Sequence, residues 1–320
     1  MSAHLKPWAL RSLAGASLLL LFLALGEGLA RAAVVLLHRE PVLWSDTLTG
    51  WSGRPGLVRM PKKYLGGEYR LSTDALGQRV VREKDVPASA GETELILLGD
   101  SFVAGMGVED EETLGWILSY ETSYRVINLG VIGFGTDQEL LSLERFLRAE
   151  PGLRGGEIVL LLFGNDFEDV QRPYYAGFAR SKPRFTMKGE ALERGDFRLP
   201  LAERIMDVSV LLWILRSRAS MMLAAPDPPA AGGRDIVAAC LREMKRLAEA
   251  HASNLHVLGH RRLRGDSPMD ARLFGEFLRA NGGTDITDLI LSLPEANPLG
   301  PDQLHWSGAG HRRVAEIISR

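Results

Sequence analysis

The stretch Leu95-Ile-Leu-Leu-Gly-Asp-Ser-Phe102 decides how the chain is read. Four apolar residues in a row suit a strand buried on both faces, and the run stops at Gly99-Asp100. Ser101 therefore stands where such a strand turns into a loop or helix. A parallel strand holds the residue beyond its carboxyl end rigidly, and backbone amides there can receive developing negative charge. That is a good place for a nucleophile. The same residues also read as a strand followed by Asp and Ser as helix-capping residues. The octapeptide alone does not separate the two readings.

Downstream, an alternation begins at Thr93. Strands are expected over residues 94–98, 124–128 and 157–163, with helices near 112–121 and 137–149 between them. The third strand ends at Gly164-Asn165-Asp166. Such β-α-β-α-β order implies an α/β fold with a parallel sheet covered on both faces. Residues 172–218 then scatter ten Arg and Lys among Tyr174, Tyr175, Phe178 and Phe185, which reads as an insertion of about 170–233 folded over the sheet's carboxyl edge. Leu211-Leu-Trp-Ile-Leu215 inside it is too short to span a bilayer and is expected to dock on the core. A Pro- and Gly-rich loop, 224–233, leads to a helix near 235–250, a strand near 255–259, a helix near 269–280 and a short apolar segment, 286–293. The chain closes on Asp302-Gln-Leu-His305 and an amphipathic helix, in which His311 is expected to face solvent.

Upstream, residues 41–92 carry Gly50-Trp-Ser-Gly-Arg-Pro-Gly56 and Gly66-Gly67, turn chemistry that predicts short β or irregular structure packed on a larger unit. Residues 1–40 contain an uncharged run, 13–25, preceded by Lys6 and Arg11. Three readings compete for it: a cleaved signal with a poor site at Ala30-Arg31-Ala32, an uncleaved membrane anchor, and a buried helix. The anchor is preferred, with the positive residues inside and the body outside. The division is thus 1–40 anchor or signal, 41–92 extension, and 93–320 catalytic unit.

Composition narrows the function. A formal charge of -2 with both signs mixed throughout offers no basic block for nucleic acid. The one cysteine, Cys240, allows neither an intramolecular disulfide nor a cysteine metal cluster, and reads as a small core residue. His251, His256, His260, Asp266 and Asp270 match no compact metal-ligand spacing and are better placed at an exposed helix–strand junction, so neither metal nor cofactor is expected. Three strand ends and the C-terminal loop do carry what acyl chemistry needs. Ser101 ends the first strand, and Gly130, Gly133 and Gly135 follow the second, where a backbone N–H can approach a substrate oxygen unobstructed. The Asn165 carboxamide after the third could donate to an oxyanion. Asp302 and His305, three apart, can share a turn, with His305 reaching the serine. Asp100 and Asp166 read as local hydrogen-bond acceptors.

Gly99-Asp-Ser-Phe102, Asn128-Leu-Gly-Val-Ile-Gly-Phe-Gly135, Gly164-Asn-Asp166 and Asp302-Gln-Leu-His305 together resemble the four blocks of the SGNH/GDSL hydrolase superfamily, over residues 93–320. Phe102 stands where the family name has Leu. The resemblance implies a flavodoxin-like three-layer α/β/α fold. It also implies Ser101 as nucleophile, His305 as general base and acid, Asp302 as its orienting partner, and an oxyanion hole from the Ser101 N–H, the Gly133 N–H and Asn165, with Gly130 as the alternative glycine. No Gly-x-Ser-x-Gly elbow is present, which argues against the α/β-hydrolase fold. The anchor, the Gly50–Gly56 segment and Asp137-Gln138 are also similar to bacterial membrane-associated members. The expectation is a membrane-anchored, extracytoplasmic serine esterase acting on an O-acyl ester, by analogy that of a glycan. Tyr174, Tyr175 and Phe178 could stack on sugar faces, or merely pack the insertion onto the sheet. Two other readings stand: a glycan O-acyltransferase using the same residues, and a silent glycan-binding or scaffold protein.

Overall fold

The computed structural model describes residues 7–64, 67–81, 93–224, 226, 228, 230–261, 268–292 and 297–320. Asp266, residues 82–92 of the expected extension, Gly66, and part of the Pro/Gly-rich loop lie outside the described residues. In chain order the main elements begin with helix α1 (Pro7–Leu36), strand β1 (Glu94–Leu98), helix α2 (Leu114–Glu121), β2 (Arg125–Asn128), α3 (Thr136–Ala149) and β3 (Glu157–Phe163). Then follow α4 (Leu201–Met206), α5 (Val210–Met222), α6 (Arg234–Ala250), β4 (Asn254–His260), α7 (Pro268–Ala280), β5 (Thr284–Asp285) and α8 (Gly308–Ile318).

The five strands form one parallel sheet in the order β2-β1-β3-β4-β5. This is the flavodoxin-like order of doubly wound folds, with its topological switch point between β1 and β3. Strand alternation divides the core into two layers. Ile96, Leu98, Ile158, Leu160 and Leu162 face α3, α6 and α7, meeting Leu140, Leu143, Val237, Cys240, Met244 and Leu278. Leu95, Leu97, Val159 and Leu161 face α2 and α8 through Leu114, Leu118, Trp306 and Val314. The three-layer expectation holds, and Cys240 is a buried core residue. Helix α2 starts two residues later than the sequence suggests, because Thr113 caps it by accepting from the Trp116 N–H and a 3-10 turn, Asp110–Glu112, precedes it.

The extension folds as two antiparallel hairpins, Leu43–Asp46 with Gly50–Gly53 and Met60–Tyr64 with Gly67–Leu71. Arg79, just beyond them, is buried and pairs with buried Asp110 at 2.8 Å. Its guanidinium also donates to the carbonyls of Ala104, Gly105 and Val108, at 3.2, 2.9 and 2.8 Å, so the extension clamps the turn that follows Ser101.

Helix α1 is long and apolar enough to span a membrane or to be a signal sequence. Among its described side chains the last third meets the body, where Ala30 and Val34 are buried. Two expectations need correction. His311 is 1% exposed and accepts from the Leu114 N–H at 3.2 Å, because α8 lies with that face on α2. Helix α5, expected to dock on the core, has no buried residue and packs against α4 and the end of α1.

Candidate active site

Strand β1 ends in Gly99, whose extended conformation at φ +156° leaves no space for a Cβ, since Val103 Cγ2 would lie 2.3 Å from it. That tight turn lifts Ser101 above the sheet's carboxyl edge at the switch point. The turn closes on itself: Asp100 Oδ1 accepts from the Phe102 N–H at 2.9 Å, and the Ser101 carbonyl accepts from the Met106 N–H at 2.9 Å.

Although 204 positions apart, Ser101 Oγ and His305 Nε2 lie 2.8 Å from each other. His305 Nδ1 is 2.6 Å from Asp302 Oδ2, while Asp302 Oδ1 accepts the N–H groups of Leu304 and His305 at 3.0 and 3.1 Å. One carboxylate thus both folds the loop and faces the imidazole. Burial lowers the His305 pKa from its ordinary value, against the opposing pull of the Asp302 carboxylate. Hydrogen bonds from His305 and Leu304 outweigh burial at Asp302 and hold its carboxyl below the usual range. The state favoured at neutral pH is a neutral imidazole beside an ionised carboxylate.

The ring of His305 is held in an aromatic box. Phe102 lies 5.1 Å from it, and Phe102 in turn meets Phe163 at 4.3 Å and Trp306 at 4.9 Å. The aromatic residue at position 102 therefore has a packing role that a leucine would fill less completely. Tyr64, from the second hairpin, meets the His305 ring edge-on at 5.6 Å. His260 is 3% exposed between Phe102 and Phe163, which corrects its placement at an exposed junction. Burial pushes its pKa down to about 4.

Close backbone approach brings the other candidates to the same edge. A Cβ on Gly130 would strike Val103 Cβ at 2.6 Å, so the glycine loop lies directly on the Ser101 turn. A Cβ on Gly135 would lie 3.1 Å from Asp169 Cβ, so the loop also meets the one-turn helix Asp166–Asp169 that follows Asn165. The Gly130 N–H is already donated to Asn128 Oδ1 at 3.0 Å. Gly133 has φ +76°, a conformation that favours glycine. Its peptide is oriented from behind: Trp51 Nε1 donates to the Ile132 carbonyl at 3.0 Å. In a trans peptide the N–H points opposite to the carbonyl, so this bond aims the Gly133 N–H away from Trp51. Asn165 donates one Nδ2 hydrogen to Asp169 Oδ2, and its amide nitrogen has a second.

Beneath these loops lies a layer of buried carboxyls. Asp137 pairs with Lys182 at 2.6 Å, and both are almost wholly buried. Asp166 Oδ2 accepts from the Phe163 N–H at 3.1 Å, while Asp166 Oδ1 and both Glu139 carboxyl oxygens have no hydrogen-bond partner. Burial, reinforced by the neighbouring carboxyls, holds Glu139 and Asp166 far above the usual carboxylate range and pushes Asp100 up to about 7. Asp100 and Asp166 are thus the hydrogen-bond acceptors expected. Asp100, Glu139 and Asp166, none of them ion-paired among the described residues as Asp137 is, are best kept uncharged. No group of three His, Cys, Asp or Glu suited to a metal ion occurs among the described residues.

Two cavities lie near the site, neither lined by Ser101, Gly133, Asn165 or His305 themselves. One, of about 490 Å³, is lined by Val42, Tyr64, Met106, Ile132, Phe178 and Trp213, among others, and so borders the ring neighbour of His305 and the residue before Gly133. The other, of about 880 Å³, is a more polar groove that includes Arg172, Tyr174, Tyr175 and Arg216. Tyr175 and Phe178 stack at 4.6 Å and both meet Trp51 at 6.1 Å, so these two aromatics do pack the insertion down. Tyr174 instead bonds Ser220 across the groove. Sequence reasoning did not single out Arg79, Trp51 or Tyr64, whose roles arise from pairings across 25 to 241 positions that no local pattern announces.

Among known proteins, no family model matches the chain, and no curated protein matches it. Solved structures do. TesA matches at 17% identity over 71% of this chain and 96% of its own, with a TM-score of 0.43. A putative lipolytic protein of the G-D-S-L family from Desulfitobacterium hafniense matches at 12% identity, covering 72% and 99%, with a TM-score of 0.42. AlinE4, an SGNH-hydrolase family esterase, matches at 18% identity, covering 72% and 94%, with a TM-score of 0.36. The similarity is to GDSL/SGNH-type hydrolases. All three TM-scores lie below 0.5, so the reading of the site stands on its own geometry.

Proposed function

We propose that the chain is a serine esterase of the SGNH type, anchored in a membrane by α1, with its catalytic unit over residues 93–320. The single observation that carries this reading is the Ser101–His305–Asp302 relay, with contacts of 2.8 and 2.6 Å. Ser101 Oγ attacks the ester carbonyl carbon as His305 Nε2 takes its proton, and Asp302 accepts from Nδ1–H and steadies the imidazolium. The carbonyl oxygen becomes an oxyanion that receives the N–H groups of Ser101 and Gly133 and the free Nδ2 hydrogen of Asn165. Gly133 serves rather than Gly130, whose N–H is occupied. The C–O bond to the alcohol breaks, His305 returns its proton to the leaving oxygen, and an acyl-Ser101 ester remains. Water, deprotonated by His305, then attacks the acyl carbon, the bond to Ser101 Oγ breaks, and His305 returns the proton to Oγ as the acid leaves.

The apolar cavity beside Tyr64 suits the acyl group. The groove with Arg172, Tyr174 and Tyr175 suits a polar, sugar-bearing alcohol, which supports an O-acyl ester of an extracytoplasmic glycan as substrate. Retention of α1 is supported by its packing, since cleavage after Ala30-Arg31-Ala32 would remove buried Ala30 and leave buried Val34 beside a new, charged N-terminus.

The test is turnover of a short-chain aryl ester, with fluorophosphonate labelling of the purified full chain. Ser101→Ala should lose both turnover and label while unfolding at the wild-type temperature. Asn165→Ala should keep the label and lose on the order of 10²–10³ in kcat, as for one oxyanion donor. Full activity in Ser101→Ala would place the nucleophile elsewhere.

A further inference from the structure

Helix α5 reads Val-Leu-Leu-Trp-Ile-Leu over its first turns, yet none of its 13 residues is buried. Leu215, Met221 and Met222 are 58%, 65% and 86% exposed, and Leu223, just past it, is 84% exposed. Beside it, Leu201 and Ile205, at the four-residue spacing that shares one face of α4, are 68% and 42% exposed, and Val208, in the turn between α4 and α5, is 67% exposed. Exposed Arg198, Arg204 and Arg218 are interleaved with them. Apolar residues scattered singly on a surface are ordinary; a set gathered on one insertion marks a contact.

What covers this face follows from where it begins. Glu27 of α1 accepts from Ser209 Oγ and from the N–H groups of Val210 and Leu211, at 2.9, 2.9 and 3.0 Å. Arg31 donates to the Val208 carbonyl, and Gly26 lies against Leu211. The insertion is thus fastened at the turn of α1 where the uncharged run 13–25 ends. Between Arg11 and Glu27 the 15 uncharged residues 12–26 of α1, at about 1.5 Å each, cover roughly 22 Å of a hydrocarbon core about 30 Å thick, with Arg11 reaching the far interface, so Glu27 falls near one boundary. Leu29, Val35 and Leu36 of α1, with Leu37 just past it, are also exposed, so apolar surface is present on both of the elements fastened together there.

Resting on the membrane-spanning reading of α1, we propose that α4 and α5 lie in the headgroup–acyl boundary of the same bilayer, as a second, non-spanning membrane contact. At about 20 Å, α5 is too short to cross and long enough to lie in the plane. Its Leu and Met side chains enter the acyl boundary while Arg204 and Arg218 meet anionic headgroups. Trp213 and Met221 of this helix also wall the apolar cavity beside Tyr64, so the membrane contact and the cavity share one element. The catalytic unit is held against the lipid surface rather than swinging on a tether, and an ester carried by that surface is brought to His305.

The test uses the full chain in phosphatidylcholine–phosphatidylglycerol vesicles, carrying an environment-sensitive fluorophore on a single introduced cysteine and challenged with spin-labelled lipid as quencher. Leu18→Cys reports the span, Met222→Cys the insertion, and Gly152→Cys, in a turn at the sheet's amino edge, the aqueous reference. The native Cys240 is 0% exposed, and wild-type chain serves as the labelling blank. Quenching at positions 18 and 222 but not 152 is expected. Quenching at 18 alone overturns this inference and leaves the span intact; quenching at neither overturns the span and the inference with it. A second arm compares Val208→Glu/Met222→Glu with wild type. Turnover of a dissolved aryl ester should stay within about twofold, while turnover of the same ester on a vesicle-borne lipid falls on the order of tenfold. An equal rate on the vesicle-borne ester would overturn the proposal.

Discussion

His305 sits among Phe102, Tyr64 and Asp302, and these neighbours set when it can act as a base. Burial lowers its pKa from the ordinary value of 6.5, while Asp302, ionised, pulls the other way. The base form dominates above the folded pKa, so activity is present at neutral pH and is lost as pH falls through a value below 6.5. A kcat/KM profile on a non-ionising aryl ester should therefore show its acid limb below pH 6.5, and a limb at or above that value would show that burial does not dominate. The buried carboxyls obey the opposite sign. Asp100, pushed up to about 7 from 3.8, keeps its proton in the fold where the unfolded chain has lost it. Its contribution to stability is present below pH 3.8 and declines as pH rises towards 7, by at most about 1.4 kcal/mol per pH unit.

At the scale of elements, the hairpin extension and the end of α1 act on the site from outside the sheet. Trp51 orients the Ile132–Gly133 peptide, Arg79 holds the turn beyond Ser101, and Tyr64 meets His305. Residues 39–43, which follow α1, line the apolar cavity. Removing residues 1–40 would expose the first turn of α5 by taking away Glu27, and would open that cavity. A chain beginning at Gly26 keeps both features. It should be recovered in soluble form with mild detergent and retain wild-type turnover of a dissolved ester. The chain beginning at Pro41 should unfold at a lower temperature and show a raised KM. Equal melting temperatures for the two would mean that the end of α1 contributes no stability to the body.

For the whole molecule, orientation follows from charge. Lys6 and Arg11 precede the apolar run, and on the proposed anchor reading the positive-inside tendency would hold them in the cytoplasm and put the body outside. A phosphatase fused after Arg320, active only outside the cytoplasm, should be active, and a reporter that needs the cytoplasm should be silent. Replacing Lys6 and Arg11 by Glu should reduce the phosphatase signal at least severalfold. A cytoplasm-active fusion to the wild-type chain would reverse the assignment.

The amino-acid sequence by itself determined the parallel α/β core and the candidates Ser101, Asn165, Asp302 and His305. Buried parallel strands write themselves as continuous apolar runs, and groups at their carboxyl ends stand in short, polar, glycine-rich turns. Both are local patterns. Only the tertiary structure decided matters of partnership. His311, in an amphipathic helix, is buried because that face lies on α2. Leu215, Met221 and Met222 of α5 are left exposed because α1, not the core, takes its first turn. The Gly130 N–H is engaged because Asn128 Oδ1 accepts it, and the Gly133 peptide is oriented because Trp51 holds the Ile132 carbonyl. Each outcome depends on which surface arrives from far along the chain, and hydrophobic period carries the face of an element without naming what will cover it.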